Sequence, residues 1–286
     1  MSPELRFVVE RALGQAIQRA TSLGGGSIND AFEVTLSDGS GVFVKTHPSP
    51  PDGMFAAEAR GLRWLDEAKA IRVPRVLGFD DRAPAFLALE LLKPTRPQRD
   101  FDETLGRSLA ALHAFGAPHF GLDHDNFIGR LPQSNAPSQD WAGFYWSARL
   151  EPQLQLALGR GLVDDSMRAR FFALERKLPT LVGPVEPPSR LHGDLWGGNL
   201  HVDEQGAPCL IDPAAYGGHR EVDLAMMKLF GGFGGRVFAA YEESFPLADG
   251  AADRVSLYQL YPLLVHVNLF GGSYVGSVQR ALDAYV

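Results

Sequence analysis

Asp194, Asn199 and Asp212 are the residues of this chain whose types and spacing best suit a chemical reaction. The first two lie in Leu191-His192-Gly193-Asp194-Leu195-Trp196-Gly197-Gly198-Asn199-Leu200, an H-x-D-x-x-x-x-N order, and Asp212 closes the next apolar run, Leu210-Ile211-Asp212. Phosphoryl transfer asks little covalent work of a protein. It needs one carboxylate aimed at the attacking hydroxyl and two oxygen ligands that hold Mg²⁺ against the phosphates. Asp194 suits the first role as catalytic base, and Asn199 and Asp212 suit the second as metal ligands. Leu200-His201-Val202 and Cys209-Leu210-Ile211 flank the turn-prone Asp203-Glu204-Gln205-Gly206, which predicts a small β-hairpin. Such a hairpin brings Asn199 at its entry and Asp212 at its exit to one end, where a single metal can meet both.

A nucleotide needs further groups, and they are expected upstream. Gly24-Gly25-Gly26-Ser27 precedes the alternating run 31–36, the turn Ser37-Asp38-Gly39 and the run Val42-Phe43-Val44-Lys45. This order predicts an antiparallel sheet whose glycine loop covers phosphates through backbone N–H groups. Lys45 ends an apolar strand, and Glu58 lies in the helical stretch that follows. A lysine on that strand, braced by a glutamate of the next helix, is how kinases reach the α and β phosphates. Residues 73–79 and 85–92 predict two more strands, the second mostly apolar and therefore central. Lys93-Pro94-Thr95-Arg96-Pro97 breaks the pattern. The expected boundary falls there, giving a nucleotide-binding lobe over 1–92 and a catalytic and substrate lobe over 93–286. The backbone of Glu90, Leu91 and Leu92 would hydrogen-bond an adenine edge.

The whole chain is compatible with an ordinary enzyme. Its 286 residues are 45% hydrophobic and 21% charged, enough to bury a core. A net charge of −7 and a pI near 5.6, with no cluster of Lys and Arg, argue against nucleic-acid binding. The single cysteine, Cys209, excludes an intramolecular disulfide framework and suits a reducing cytoplasm. Charges within the first apolar stretch argue against export. Residues 255–279 lack Asp, Glu, Lys and Arg, but Pro262, His266, Asn268 and Gly271-Gly272 predict a buried helix and turn, with no membrane partner.

Residues 2–18 read as one amphipathic helix, with Ser2 as N-cap, Pro3 in the first turn, and Leu5, Val9, Ala12, Ala16 and Ile17 on its apolar face. Helices dominate from Phe101. His113 is expected to pack and hydrogen-bond rather than to bind metal. Residues 121–139 read as a long ordered loop that shapes a pocket, and Trp141, Phe144, Tyr145 and Trp146 as core.

These motifs, taken together, resemble the fructosamine kinases, or ketosamine 3-kinases, of the protein-kinase-like group that includes aminoglycoside and choline kinases. The tryptophan in His192-Gly193-Asp194-Leu195-Trp196-Gly197-Gly198-Asn199 is similar to this family in particular. So are the segments 125–133, 211–214, 218–226, 229–233 and 268–272. The resemblance implies an α+β, two-lobed fold with an N-terminal antiparallel sheet and a larger, mainly helical C-terminal lobe. It also implies ATP-dependent phosphorylation of the 3-hydroxyl of small-molecule or protein-bound ketosamines, after which the adduct falls apart and frees the amine. Trp196 and His266 match positions at which the family packs and hydrogen-bonds the sugar adduct. Two departures stand out. Pro262 and Val265 occupy positions where relatives often carry polar residues, and Ser27 stands where many place a cysteine. The residues alone leave open a kinase of the same fold acting on another alcohol, a catalytically silent nucleotide-binding protein, and a metal hydrolase using His192, Asp194 and His201. Oligomeric state is not written in the motifs, and a monomer is the expectation.

Overall fold

The structure is a computed structural model that describes residues 1–24 and 29–286. Helix α1 spans Pro3–Leu13, capped by Ser2, whose hydroxyl oxygen accepts from the Leu5 N–H at 3.2 Å. The helix is shorter than the 2–18 expected. Gly14 takes a left-handed conformation at φ +67°, which a glycine adopts without a Cβ penalty, and the chain turns back. The Ile17 N–H is then taken by the Glu10 carboxylate at 2.8 Å, and Ile17 opens strand β1 (Ile17–Leu23) instead of a fifth helical turn. Its periodic match to the helix face was incidental.

Strands β2 (Asp30–Leu36) and β3 (Gly41–Thr46), helix α2 (Met54–Glu67), and strands β4 (Val76–Asp80) and β5 (Phe86–Glu90) follow. The five strands form one antiparallel sheet in the order β1-β2-β3-β5-β4. Strand β5 is interior, as its apolar composition predicted, and Phe86 to Leu89 are fully buried. One face of the sheet packs on α1 through Leu5, Val9, Val34 and Val44. Helix α2 covers the other. Its buried residues Phe55, Ala59, Leu62 and Leu65 belong to a cluster that also contains Leu105, Leu109, Leu195, Leu210 and Leu224. The helix that carries Glu58 is therefore part of a core shared with the C-terminal half.

That half begins with α3 (Phe101–Phe115). The stretch 121–139, expected as a loop, contains a two-stranded hairpin, β6 (Asn126–Ile128) and β7 (Leu131–Gln133), turned by Gly129 at φ +59°. Each strand is too short to show an alternating pattern. Then come α4 (Trp141–Tyr145), a π-helical turn (Trp146–Leu150), α5 (Glu151–Gly159), α6 (Asp165–Glu175) and α7 (Leu178–Leu181). Trp141, Phe144, Tyr145 and Trp146 are buried core, as expected. Strands β8 (Ser189–Leu191), β9 (Leu200–Val202), β10 (Pro208–Leu210) and β11 (Tyr216–Gly218) form two small antiparallel pairs, β9 with β10 and β8 with β11. Helices α8 (Glu221–Phe230), α9 (Gly235–Ser244), α10 (Ala251–Phe270) and α11 (Val275–Leu282) complete the chain. Among the described residues no helix is long and apolar enough to cross a membrane. The fold is α+β, a sheet-based N-terminal part and a mainly helical remainder.

Candidate active site

The hairpin β9–β10 does what its spacing predicted. Leu200 pairs with Leu210, and beyond that pair the Ile211 N–H donates to the Asn199 carbonyl at 3.0 Å, so Asn199 and Asp212 emerge at the same end. The Asn199 amide Nδ2 donates to the Asp194 carbonyl at 2.8 Å and to Asp194 Oδ2 at 3.2 Å. Asp212 adopts φ +53°, a left-handed conformation that aspartate tolerates better than most residues and that packed neighbours must enforce. Those neighbours are present. Lys45 Nζ lies 2.7 Å from Asp212 Oδ1 and 2.9 Å from Glu58 Oε1.

Lys45 is held on β3 between Ala31 of β2 and Leu87 of β5, and only 5% of it is exposed. Burial works against its charge, but Asp212 and Glu58 outweigh that effect and hold its pKa above the ordinary lysine value. For Asp212, burial pushes the carboxyl up, yet the Lys45 ammonium wins and keeps it below the usual range. Asp194 has no such cation. Burial first, then the negative charge of Asp212, raises its pKa to about 7, against the opposing hydrogen bond from Asn199. A carboxyl poised near neutrality is suited to exchanging a proton with a substrate hydroxyl.

The loop beneath Asp194 is fastened by groups to which residue type and spacing alone give no role. Asp223, fully buried in the first turn of α8, accepts from the His192 N–H at 2.8 Å and the Gly193 N–H at 2.9 Å. His113 Nε2 reaches the same carboxylate at 3.2 Å, and the Tyr241 hydroxyl meets His113 Nδ1 at 2.8 Å. His113 is thus a satisfied buried residue, as expected. His192 Nε2–H donates to the Ile211 carbonyl at 2.9 Å while its Nδ1 accepts from the Asp194 N–H at 3.3 Å, so one neutral ring spans the segments that carry Asp194 and Asp212. Burial lowers its pKa and favours that neutral form. Gly193, at φ +81°, has no substitute: a Cβ there would stand 2.1 Å from the Ala214 carbonyl oxygen.

Lys45, Glu58, Asp194, Trp196, Asn199 and Asp212 all line one cavity of about 500 Å³, and Gly24 reaches its rim. The Trp196 ring folds back over Gly198, 2.3 Å from where a Cβ would be, and remains 41% exposed. Gly25, Gly26 and Ser27 lie outside the described residues. Glu90, Leu91 and Leu92 do not line this cavity. The Glu90 carboxylate is taken by Arg75 Nε at 2.9 Å and Arg72 Nη2 at 3.2 Å, and its N–H donates to the Arg75 carbonyl. The Leu91 side chain lies against Gly41. His266 does not line the cavity either. Its Nδ1–H donates to the Pro262 carbonyl at 2.8 Å, and its ring packs among Phe230, Phe270 and Tyr274. In their place the cavity gains Asn126, Phe127 and Gly129 from the β6–β7 hairpin, and His201. Asn126 lies in the 121–139 stretch read from composition as shaping a pocket, whereas for Asp223 the resemblance of its segment was the only sequence signal.

A family model for fructosamine kinase matches residues 1–286. The chain is 38% identical over 264 residues to a probable ketoamine kinase of Enterococcus faecium, covering 91% of this chain and 93% of that one. A crystal structure of a Thermobifida fusca protein named for fructosamine-3-kinase superposes with a TM-score of 0.92 at 39% identity, over 99% of each chain. An aminoglycoside phosphotransferase in complex with ADP and hygromycin B, at 15% identity, covers 99% of each chain with a TM-score of 0.65 and shares the fold. Matched along its whole length by the family model and across nearly all of these relatives, the chain belongs to the fructosamine kinase family.

Proposed function

We propose that this protein is an ATP-dependent kinase that phosphorylates the 3-hydroxyl of ketosamines, fructosamine or ribulosamine adducts of amines, and so leads to their deglycation. The observation that carries this reading is the convergence of Asp194, Asn199, Asp212 and the Lys45–Glu58 pair on one cavity in a chain of this family. The nucleotide lies between the 1–92 lobe and the 93–286 lobe, with Lys45 toward its phosphates. ADP in the ternary complex of the aminoglycoside phosphotransferase supports nucleotide use by this fold.

The donor set fits Mg²⁺. Asp212 supplies a carboxylate, and Asn199, whose Nδ2 is engaged by Asp194, supplies its carbonyl Oδ1, both hard oxygen ligands. When bound, the ion offsets phosphate charge and orients the γ-phosphoryl group. Asp194 then accepts the proton of the sugar 3-hydroxyl as that oxygen bonds to the γ-phosphorus and the bond to the β–γ bridging oxygen breaks, leaving ADP. Trp196 packs against the sugar beside the reacting hydroxyl. A cytoplasmic setting suits the single buried cysteine.

The test is ATP consumption with glycated and ribosylated lysines, aminoglycosides and choline, with the phosphorylated position read by NMR. Phosphate on the third sugar carbon of a ketosamine is the expected result. Turnover of another alcohol with none of any ketosamine overturns the substrate.

A further inference from the structure

Arg149 is buried to 0% exposure, and no carboxylate among the described residues pairs with it. A buried cation without a counter-ion is costly, and its surroundings must compensate. It lies in the π-helical turn between α4 and α5, a geometry that often marks functional positions. The guanidinium carbon sits 3.8 Å from the centre of the Tyr216 ring and 4.7 Å from that of Phe144. Its Nη1 donates to the Ser134 carbonyl at 2.6 Å and the Ala148 carbonyl at 2.9 Å, and its Nη2 to Asn135 Oδ1 at 2.7 Å.

The last bond has a direction, because a guanidinium can only donate. Asn135 must present its oxygen to Arg149, so its Nδ2 points away and donates to Asn126 Oδ1 at 2.9 Å. Asn126 must then turn its own Nδ2 toward the Ala215 carbonyl, at 2.8 Å. Gln133 is oriented in the same sense from a second donor. The Tyr261 hydroxyl donates to Gln133 Oε1 at 2.6 Å, and Gln133 Nε2 donates to Asn126 Oδ1 at 2.7 Å and to the Ala214 carbonyl at 3.1 Å. The network ends on two parts of the active site. Asn126 belongs to the cavity wall, and Ala214 follows Asp212 and donates its N–H to the His192 carbonyl at 3.0 Å.

We infer that Arg149 is a positioning residue for the acceptor side of the site: by fixing the orientation of the Asn135, Asn126 and Gln133 amides, it sets the β6–β7 wall against the segment that leaves Asp212. This inference rests on the kinase reading for the identity of the acceptor. It concerns binding of the alcohol, not of the nucleotide.

The experiment compares Arg149→Lys and Tyr261→Phe with the wild type in steady-state kinetics and in amide hydrogen exchange. Arg149→Lys keeps the charge but loses the fork, and Tyr261→Phe keeps the ring but loses the donor to Gln133. Partners of this kind typically cost about 10- to 100-fold when removed. The expected result is a ketosamine KM raised about tenfold or more in Arg149→Lys and less in Tyr261→Phe, with the KM for ATP within about twofold. Exchange should quicken over 126–135 and 214–216 and stay unchanged in the five-stranded sheet. Parallel loss in ATP and ketosamine parameters, or unchanged ketosamine KM in a folded variant, overturns the inference. If Arg149→Lys does not fold, the same two outcomes are read from Tyr261→Phe. If the wild type turns over no ketosamine, the kinase substrate is wrong, and the positioning role is then tested by the exchange pattern alone: quickening confined to the two segments supports it, and its absence refutes it.

Discussion

The cavity has two walls built on different principles. The wall carrying Lys45, Glu58 and Asp212 is held by charge: one buried ammonium between two carboxylates, 2.9 Å from Glu58 Oε1 and 2.7 Å from Asp212 Oδ1. The second wall, from Asn126 to Gly129, is held by neutral amides whose orientation is set by donors outside the cavity, Arg149 and Tyr261. Charge is strong but unselective, so it suits phosphates, which need neutralising more than shaping. A network of oriented amides is weaker per bond but defines a surface, which suits recognition of one alcohol among many. Asp194 lines the same cavity, bonded to Asn199 and carrying a pKa raised by burial and by the negative charge of Asp212.

Substitutions can break this division. The largest effect is expected from Asp194→Asn, which keeps size and polarity but cannot accept the hydroxyl proton. Turnover should fall by about 10²- to 10⁴-fold while nucleotide affinity, read by calorimetry, is retained. Near wild-type turnover would remove Asp194 from its role.

Next comes the charged wall itself. Lys45→Met leaves Glu58 buried without its cation, and breaking such a pair costs about 3 kcal/mol, at the low end because Glu58 can take up a proton. Denaturant unfolding should show this loss together with weakened ATP binding. Unaltered stability would mean that the charged wall does not depend on its central ammonium.

The acceptor side should respond differently. Trp196→Ala is expected to raise the ketosamine KM and lower kcat, up to about 10²-fold in kcat/KM, with ATP affinity little changed, since an ångström of misplacement can cost that much. His266→Ala should act in the same sense but more weakly, because its ring packs with Phe230 and Tyr274 away from the cavity wall. A change in ATP affinity matching the change for ketosamine would show that the two walls are not separable.

The smallest effect concerns the thiol. Cys209 is fully buried on β10, and burial pushes its pKa up to about 12, so almost no thiolate forms near neutrality. Mild peroxide should leave turnover within about twofold, and inactivation that dithiothreitol reverses and Cys209→Ser abolishes would contradict this.

The charged wall could be read from the chain because its chemistry is local or follows a fixed order. Asn199 and Asp212 flank a short hairpin, and the pairing of Leu200 with Leu210 carries both to one end whatever surrounds them. Lys45 at the end of a strand and Glu58 on the next helix obey the same logic, one secondary-structure unit apart. Where periodicity alone was the guide, it overran. Ala16 and Ile17 continued the face of α1, but Gly14 ended the helix by adopting a conformation that no pattern of apolar residues records.

Residue type and order thus sufficed for the kinase-like layout, the hairpin and the grouping of Asp194 with Asn199 and Asp212, since each depends on short-range geometry. They marked 121–139 as pocket-shaping but did not reveal the network that orients its amides. Arg149 lies 14 residues from Asn135, and Tyr261 lies 128 residues from Gln133. An amide has no preferred direction until its partners supply one, and those partners meet only when the β6–β7 hairpin, the π-helical turn and α10 pack together. The same holds for Asp223, an aspartate in a helix first turn until packing sets it beneath the His192 and Gly193 amides. Burial then removes competing water and makes each of these bonds decisive.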